Sequence, residues 1–128
     1  MEQDILLSLL DDAKKAAQAA YVPYSGYMVG AALLGASGKV YLGCNVENAS
    51  YPLCICAERT AVYKAVSEGE RDYLAIAVWV ESEKPFPPCG ACRQVLHEFN
   101  PSLSVIYGNK TGHVITDIAT LLPGAFKL

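Results

Sequence analysis

The chain contains no run of lysine or arginine, and its net charge is −3 over 128 residues. A groove that follows a phosphate backbone needs clustered basic side chains, so a nucleic acid polymer is not an expected partner. No apolar stretch is long and unbroken enough to span a membrane. Histidine is scarce: His97 and His113 are the only two. Neither falls in a metal-ligand spacing, and both read as surface or satisfied structural residues. Internal repeats, low-complexity tracts and interdomain linkers are also missing, which at this length predicts one domain around one core. The opening segment MEQDILLSLLDDAKKAA carries acids where a signal peptide would carry bases, and reads as an amphipathic helix.

What is present is apolar for so small a chain, with 52% hydrophobic and 18% charged residues. Large exposed apolar patches are rare on soluble monomers, so part of that surplus is expected at subunit contacts. Five cysteines are an odd number. In a chain with the look of a cytoplasmic protein, that favours metal or catalytic use over a disulfide framework.

Ile5, Leu6, Leu9, Leu10 and Ala13 recur at helical spacing and predict a first helix over 3–20. Pro23 and Gly26 break it. Two strands, 27–34 and 39–46, are expected as a hairpin across Gly35-Ala36-Ser37-Gly38. A helix over 56–68 should stop at Gly69, and the continuously apolar run 73–80 predicts a strand buried on both faces. The segment 81–88 reads as a Pro-rich loop before a helix beginning near Cys89. Strands at 103–107 and 113–115 and a short helix over 117–122 complete the pattern. Alternating strands and helices predict an α/β fold, a three-layer α/β/α arrangement around a mixed sheet of about five strands.

The chemistry concentrates in Cys56-Ala57-Glu58 and Pro88-Cys89-Gly90-Ala91-Cys92. Cys89 and Cys92 are three apart and share one face if they open a helix. Cys56 should open another. A structural zinc site closes with four protein ligands, whereas a catalytic one keeps a position for water. Three thiolates plus one carboxylate that need not be a ligand fit a metal-activated water beside a proton-carrying glutamate. Three thiolates leave a Zn²⁺ site at net −1, and the positive ends of two helix dipoles would oppose that excess. Arg59 and Arg93 stand where they could donate hydrogen bonds to the sulfurs. Two other readings stay open. The cysteines can be metal-free and buried, or Cys54 can supply a fourth thiolate to a structural site.

Longer motifs bear on that choice. Tyr24-Ser25-Gly26-Tyr27-x-Val29-Gly30-Ala31-Ala32, Gly43-Cys44-Asn45-Val46-Glu47-Asn48-Ala49-Ser50, Cys56-Ala57-Glu58-Arg59-Thr60-Ala61 and Pro88-Cys89-Gly90-Ala91-Cys92-Arg93-Gln94 occur in this order. The ending is Leu121-Leu122-Pro123-Gly124-Ala125-Phe126. From about residue 13 to 126 the chain resembles the small homotetrameric, zinc-dependent cytidine deaminases. The resemblance implies zinc on Cys56, Cys89 and Cys92, with Cys54 and Cys44 outside the site. It implies hydrolytic deamination of cytidine or deoxycytidine at C4, with a zinc-activated water as nucleophile and Glu58 as the proton shuttle. It places Asn45 and Glu47 on the sugar hydroxyls, Tyr27 and Ala57 against the substrate, and Arg59 and Gln94 in support. It also implies that Phe126 stacks on the base in a neighbouring subunit's site, and that 49–51 line a subunit contact. On the residues alone, Asn45 and Glu47 read as turn residues and Phe126 as a core aromatic.

The chain departs from the family pattern in three places. Tyr27 stands where Phe is usual, Pro87 where many relatives carry Ser, and only two residues follow Phe126. The last point removes any contact expected from a longer tail. A free base or an aminonucleoside antibiotic is the nearest alternative substrate for the same chemistry. A polynucleotide-editing enzyme would need a basic, aromatic-rich strand channel that this composition does not offer.

Overall fold

The computed structural model describes residues 1–128. Helix α1 (Gln3–Ala16) buries Leu6, Leu9, Leu10 and Ala13, the i, i+3, i+4, i+7 stripe read from the sequence. The α-helix ends four residues before the expected 20, continuing only as a 3₁₀ turn over Ala17–Ala19. The cause is Tyr21, whose N–H donates to Asn45 C=O at 3.0 Å and whose C=O accepts from Glu47 N–H at 2.8 Å. That pairing pulls the chain out of helical geometry.

Strands β1 (Val29–Gly35) and β2 (Val40–Cys44) form the expected hairpin, with Gly38 in the left-handed region at φ 93°. Both strands start or stop two residues inside their expected limits at the far end. There the Asn45 side chain accepts from Val29 N–H and donates to Tyr27 C=O, replacing ladder bonds with a side-chain brace. After a 3₁₀ turn (Tyr51–Leu53) come α2 (Ala57–Ser67), β3 (Tyr73–Val80), α3 (Gly90–Phe99), β4 (Ser104–Asn109), β5 (Gly112–Asp117) and the short α4 (Ile118–Leu121). The sheet order is β2-β1-β3-β4-β5, with β3 and β4 parallel and all other pairs antiparallel. A mixed five-stranded sheet is therefore present as expected.

The period of two along β1 divides the core. Ala31 and Leu33 face Ala57, Ala61, Val62, Leu96 and Ile118 of α2, α3 and α4. Ala32 faces Leu6, Leu9 and Ala13 of α1, with Ala75, Ala77 and Ile106 beside it. The sheet is thus sandwiched between one helix and three. Two glycines set how closely the layers approach. A Cβ on Gly30 would stand 1.9 Å from Ala13 C=O, and one on Gly43 would stand 2.4 Å from Ala57 C=O. Gly43 therefore lets the first turn of α2 rest on the sheet, which fixes where Cys56 and Glu58 stand. No helix is long and apolar enough to cross a membrane.

Candidate active site

The site forms where β1 begins and β3 ends, since the register pairs Val29 with Val80. Cys56 is the N-cap of α2 and Cys89 the N-cap of α3, both with extended backbone. Two helix N-termini thus meet at one place, as the spacing predicted. Cys92, one turn into α3, is buried. The Cys56 and Cys89 sulfurs are 3.6 Å apart, and all three sulfurs lie within 4.8 Å of one another. With Zn–S bonds of about 2.3 Å, a tetrahedral site has S···S edges of about 3.8 Å, so the three thiols fit a zinc ion. They are also the one group of three or more metal-binding side chains on the chain.

Cys54 lies outside that group. Its sulfur accepts from Asn48 N–H at 3.3 Å and approaches Asn48 C=O at 3.6 Å. A local backbone loop occupies it. Arg59 donates through Nη2 to Cys56 Sγ at 3.4 Å, while its Nε–H is buried without an acceptor. Arg93 does not reach the sulfurs, which corrects the sequence reading. Its Nε donates to Pro88 C=O at 2.7 Å and its Nη1 to Leu121 C=O at 2.8 Å. It braces the loop before Cys89 against the C-terminal segment. Gln94 likewise turns toward that segment, donating to Phe126 C=O at 3.3 Å.

The electrostatics follow from burial and neighbours. Hydrogen bonding from the Cys92 thiol, with help from Arg59, pulls the Cys56 thiol down to about 5. The same hydrogen bond and burial push Cys92 up, so of these two sulfurs Cys56 is the one that carries the negative charge. Burial pushes the Glu58 carboxyl up to about 7, and the Cys56 charge adds to the effect. Glu58 is only 4% exposed.

Two cavities adjoin, sharing Asn45 and Cys56 in their walls. The inner one, about 160 Å³, brings Glu58, Ala57 and Cys89 together with the apolar surfaces of Val29, Val80 and Phe86. The outer cleft, about 550 Å³, is lined by Glu47, Ser25, Tyr24, Tyr51 and Arg59. Tyr27 stands behind Phe86, edge to face at 5.8 Å between ring centroids, and faces a separate surface hollow with Glu81 and Lys110. Phe126 is 68% exposed and lines neither cavity of its own chain.

The comparisons with known proteins agree with this geometry. The family described as the cytidine and deoxycytidylate deaminase zinc-binding region matches residues 3–108. A cytidine deaminase of Sporosarcina psychrophila is 53% identical over 121 residues, covering 93% of this chain and 89% of that relative.

The chain belongs to the cytidine deaminase family.

The crystal structure of cytidine deaminase from Burkholderia pseudomallei superposes with a TM-score of 0.90 at 49% identity, covering 98% of this chain and all, 100%, of that one. That from Mycobacterium tuberculosis gives 0.84 at 42% identity, covering 95% and 97%. This protein is accordingly a hydrolase of the deaminase family whose cofactor is zinc, and the cluster of Cys56, Cys89 and Cys92 is the place on the chain that suits the metal. Two residues near the cavities were not singled out by sequence reasoning. Phe86 falls within the expected Pro-rich loop, and Ser25 within the Tyr24-Ser25-Gly26-Tyr27 motif, with no role of its own assigned to either. The available signal for Ser25 was its place directly before Gly26 and two residues before Tyr27, in a loop that returns to β1.

Proposed function

We propose that residues 1–128 form one zinc-dependent cytidine deaminase domain, which hydrolyses cytidine and deoxycytidine to uridine and deoxyuridine with release of ammonia in pyrimidine salvage. The observation that carries this reading is the buried Glu58 carboxyl beside three convergent thiols at the bottom of a two-part cleft. Cys56, Cys89 and Cys92 hold the metal. When bound, zinc supplies the Lewis acidity that makes a water proton transferable near neutral pH. Glu58 accepts that proton and carries it to ring N3, which makes C4 electrophilic. The water oxygen adds to C4, Glu58 takes the remaining proton of that oxygen to the amino group, and the C4–N bond breaks to release ammonia and leave the C4 carbonyl. A carboxyl poised near 7 suits both tasks, since the best proton carrier titrates near the working pH.

The other residues bind and orient. Ala57 N–H, in the first turn of α2, has no partner within the helix and is free to donate to the base. Val29, Val80 and Phe86 exclude water from the ring. Asn45 and Glu47, in the wall of the outer cleft, take the sugar. Arg59 moderates the charge on the sulfurs.

The outer cleft of one chain is open, with Tyr51 in its wall 84% exposed, and Leu53 two residues on is 67% exposed. Together with the exposed Phe126, these surfaces support a homotetramer whose sites are completed by neighbouring copies. Five free cysteines suit the reducing cytoplasm. The test is a panel of cytidine, deoxycytidine, cytosine and an aminonucleoside antibiotic, followed by ultraviolet absorbance and ammonia release. Turnover of the first two supports the reading, and turnover of only the last two would overturn the substrate assignment.

A further inference from the structure

The loop 24–29 is held to the end of β2 by the side chains of Glu47 and Asn45. Glu47 Oε1 accepts from Tyr24 N–H and from Ser25 N–H, both at 3.0 Å, which fills its two acceptor positions. Glu47 Oε2 accepts from Ser25 Oγ–H at 2.5 Å. Ser25 Oγ in turn accepts from Tyr27 N–H at 3.1 Å. A hydroxyl has one proton, so the short contact to a carboxylate fixes where that proton points. Asn45 is similarly committed, with Oδ1 on Val29 N–H at 2.9 Å and one Nδ2 proton on Tyr27 C=O at 2.8 Å. One donor and one acceptor position on Asn45 and one acceptor position on Glu47 Oε2 remain, on two residues in the wall of the same cleft. A sugar hydroxyl offers one donor and two acceptor positions and can satisfy both.

We propose that Ser25 is a positioning residue for nucleoside recognition. By occupying one acceptor position of Glu47 Oε2 and fixing the carboxylate against the loop, it leaves a single acceptor for one substrate hydroxyl. The inference rests on the assignment of Glu47 to the sugar. It adds that Ser25, which need not touch substrate, sets how tightly that hydroxyl is read. Without the Ser25 hydroxyl, Oε2 has two open positions that water fills, and Tyr27 N–H loses its acceptor.

The experiment compares wild type, Ser25→Ala, Ser25→Thr and Glu47→Gln with cytidine and with 2′,3′-dideoxycytidine, the latter as substrate or as competitive inhibitor. Zinc content and melting temperature are measured on each variant. Ser25→Ala is expected to raise KM for cytidine on the order of tenfold, as for loss of one hydrogen bond to a charged group. Its kcat should change by less than about twofold, because the proton-carrying residues are untouched. The constant for dideoxycytidine should barely move, and Ser25→Thr should restore most of the cytidine KM. An equal loss on both ligands, or a fall in kcat at unchanged KM, would overturn the positioning role. So would a Ser25→Ala enzyme that behaves as wild type while Glu47→Gln shows the cytidine-selective loss. If Glu47→Gln itself leaves the cytidine KM unchanged, the sugar assignment fails and the Ser25 role fails with it.

Discussion

Glu58 and Glu47 face the two halves of one cleft system, and their surroundings tune them in opposite directions. Glu58 is buried at the first turn of α2, and desolvation raises its carboxyl to about 7. Glu47 is half-buried on a loop, and the Ser25 hydroxyl, with backbone N–H groups behind it, lowers its carboxyl below the usual range. One environment makes a carboxylate that exchanges protons near neutrality. The other makes one that stays charged and still. The difference lies in the balance, since at Glu58 burial outweighs the donors it has, its own backbone N–H and the Cys92 thiol, whereas at Glu47 the donors outweigh burial. On the proposed roles, proton transfer by Glu58 and sugar binding by Glu47, the site needs both kinds.

The largest effect expected concerns the metal side. Cys89→Ser should abolish zinc retention and lower activity on the order of a thousandfold or more, because one of three ligands and the Lewis acid are lost together. Metal analysis beside a rate assay checks this. Retained zinc with retained activity would break the contrast by removing the metal from it.

The pH dependence of stability sharpens the comparison next. In zinc-free protein the folded Glu58 titrates near 7, well above an unfolded glutamate near 4.3. The native state therefore holds the proton more tightly, and Glu58's contribution is complete below the unfolded value and is lost as pH rises to about 7. Cys56 acts in the opposite sense over about 5 to 9, where its lowered value makes stability rise with pH. The difference between Glu58→Gln and wild type isolates the first term. The variant should gain up to about 3 kcal/mol relative to wild type between pH 4.5 and 7, read from denaturant melts. No change in that difference with pH would show that Glu58 is not desolvated.

Gly43→Ala should cost about 2 kcal/mol, because its Cβ would stand 2.4 Å from the α2 backbone and force the helix outward. Its effect on kcat should exceed its effect on KM, since α2 carries Glu58 whereas the Glu47 loop is braced separately. The smallest effect belongs to Cys54→Ser. It should keep zinc, most activity and stability within about 1 kcal/mol of wild type. Loss of zinc from that variant would revive the four-thiolate structural site.

Much of this arrangement was legible in the sequence because it depends on local signals. The stripe from Leu6 to Ala13, the Gly38 turn and the cysteines capping α2 and α3 each follow from spacing or backbone chemistry within a few residues. The early end of α1 was not legible, because Tyr21 pairs with Asn45 and Glu47, which are far along the chain. Arg93 was misjudged for a related reason. Its position next to Cys92 suggested the sulfurs, but the carbonyls of Pro88 and Leu121 come within its reach only in the folded chain. Ser25 stands in a motif without a role legible from its neighbours, because its proposed one depends on a proton whose direction is set by Glu47 and Tyr27 together.

The most direct test of the account is the rate of cytidine loss, by ultraviolet absorbance, for wild type and Glu58→Gln, with zinc measured on both. About one zinc per chain is expected in each protein, as for a three-ligand catalytic site. The rate in the variant should be lower by on the order of a thousandfold or more, the scale of removing a general acid-base group that acts twice. A variant that loses its zinc would make Glu58 a ligand, and one that turns over cytidine like wild type would remove it from the chemistry altogether.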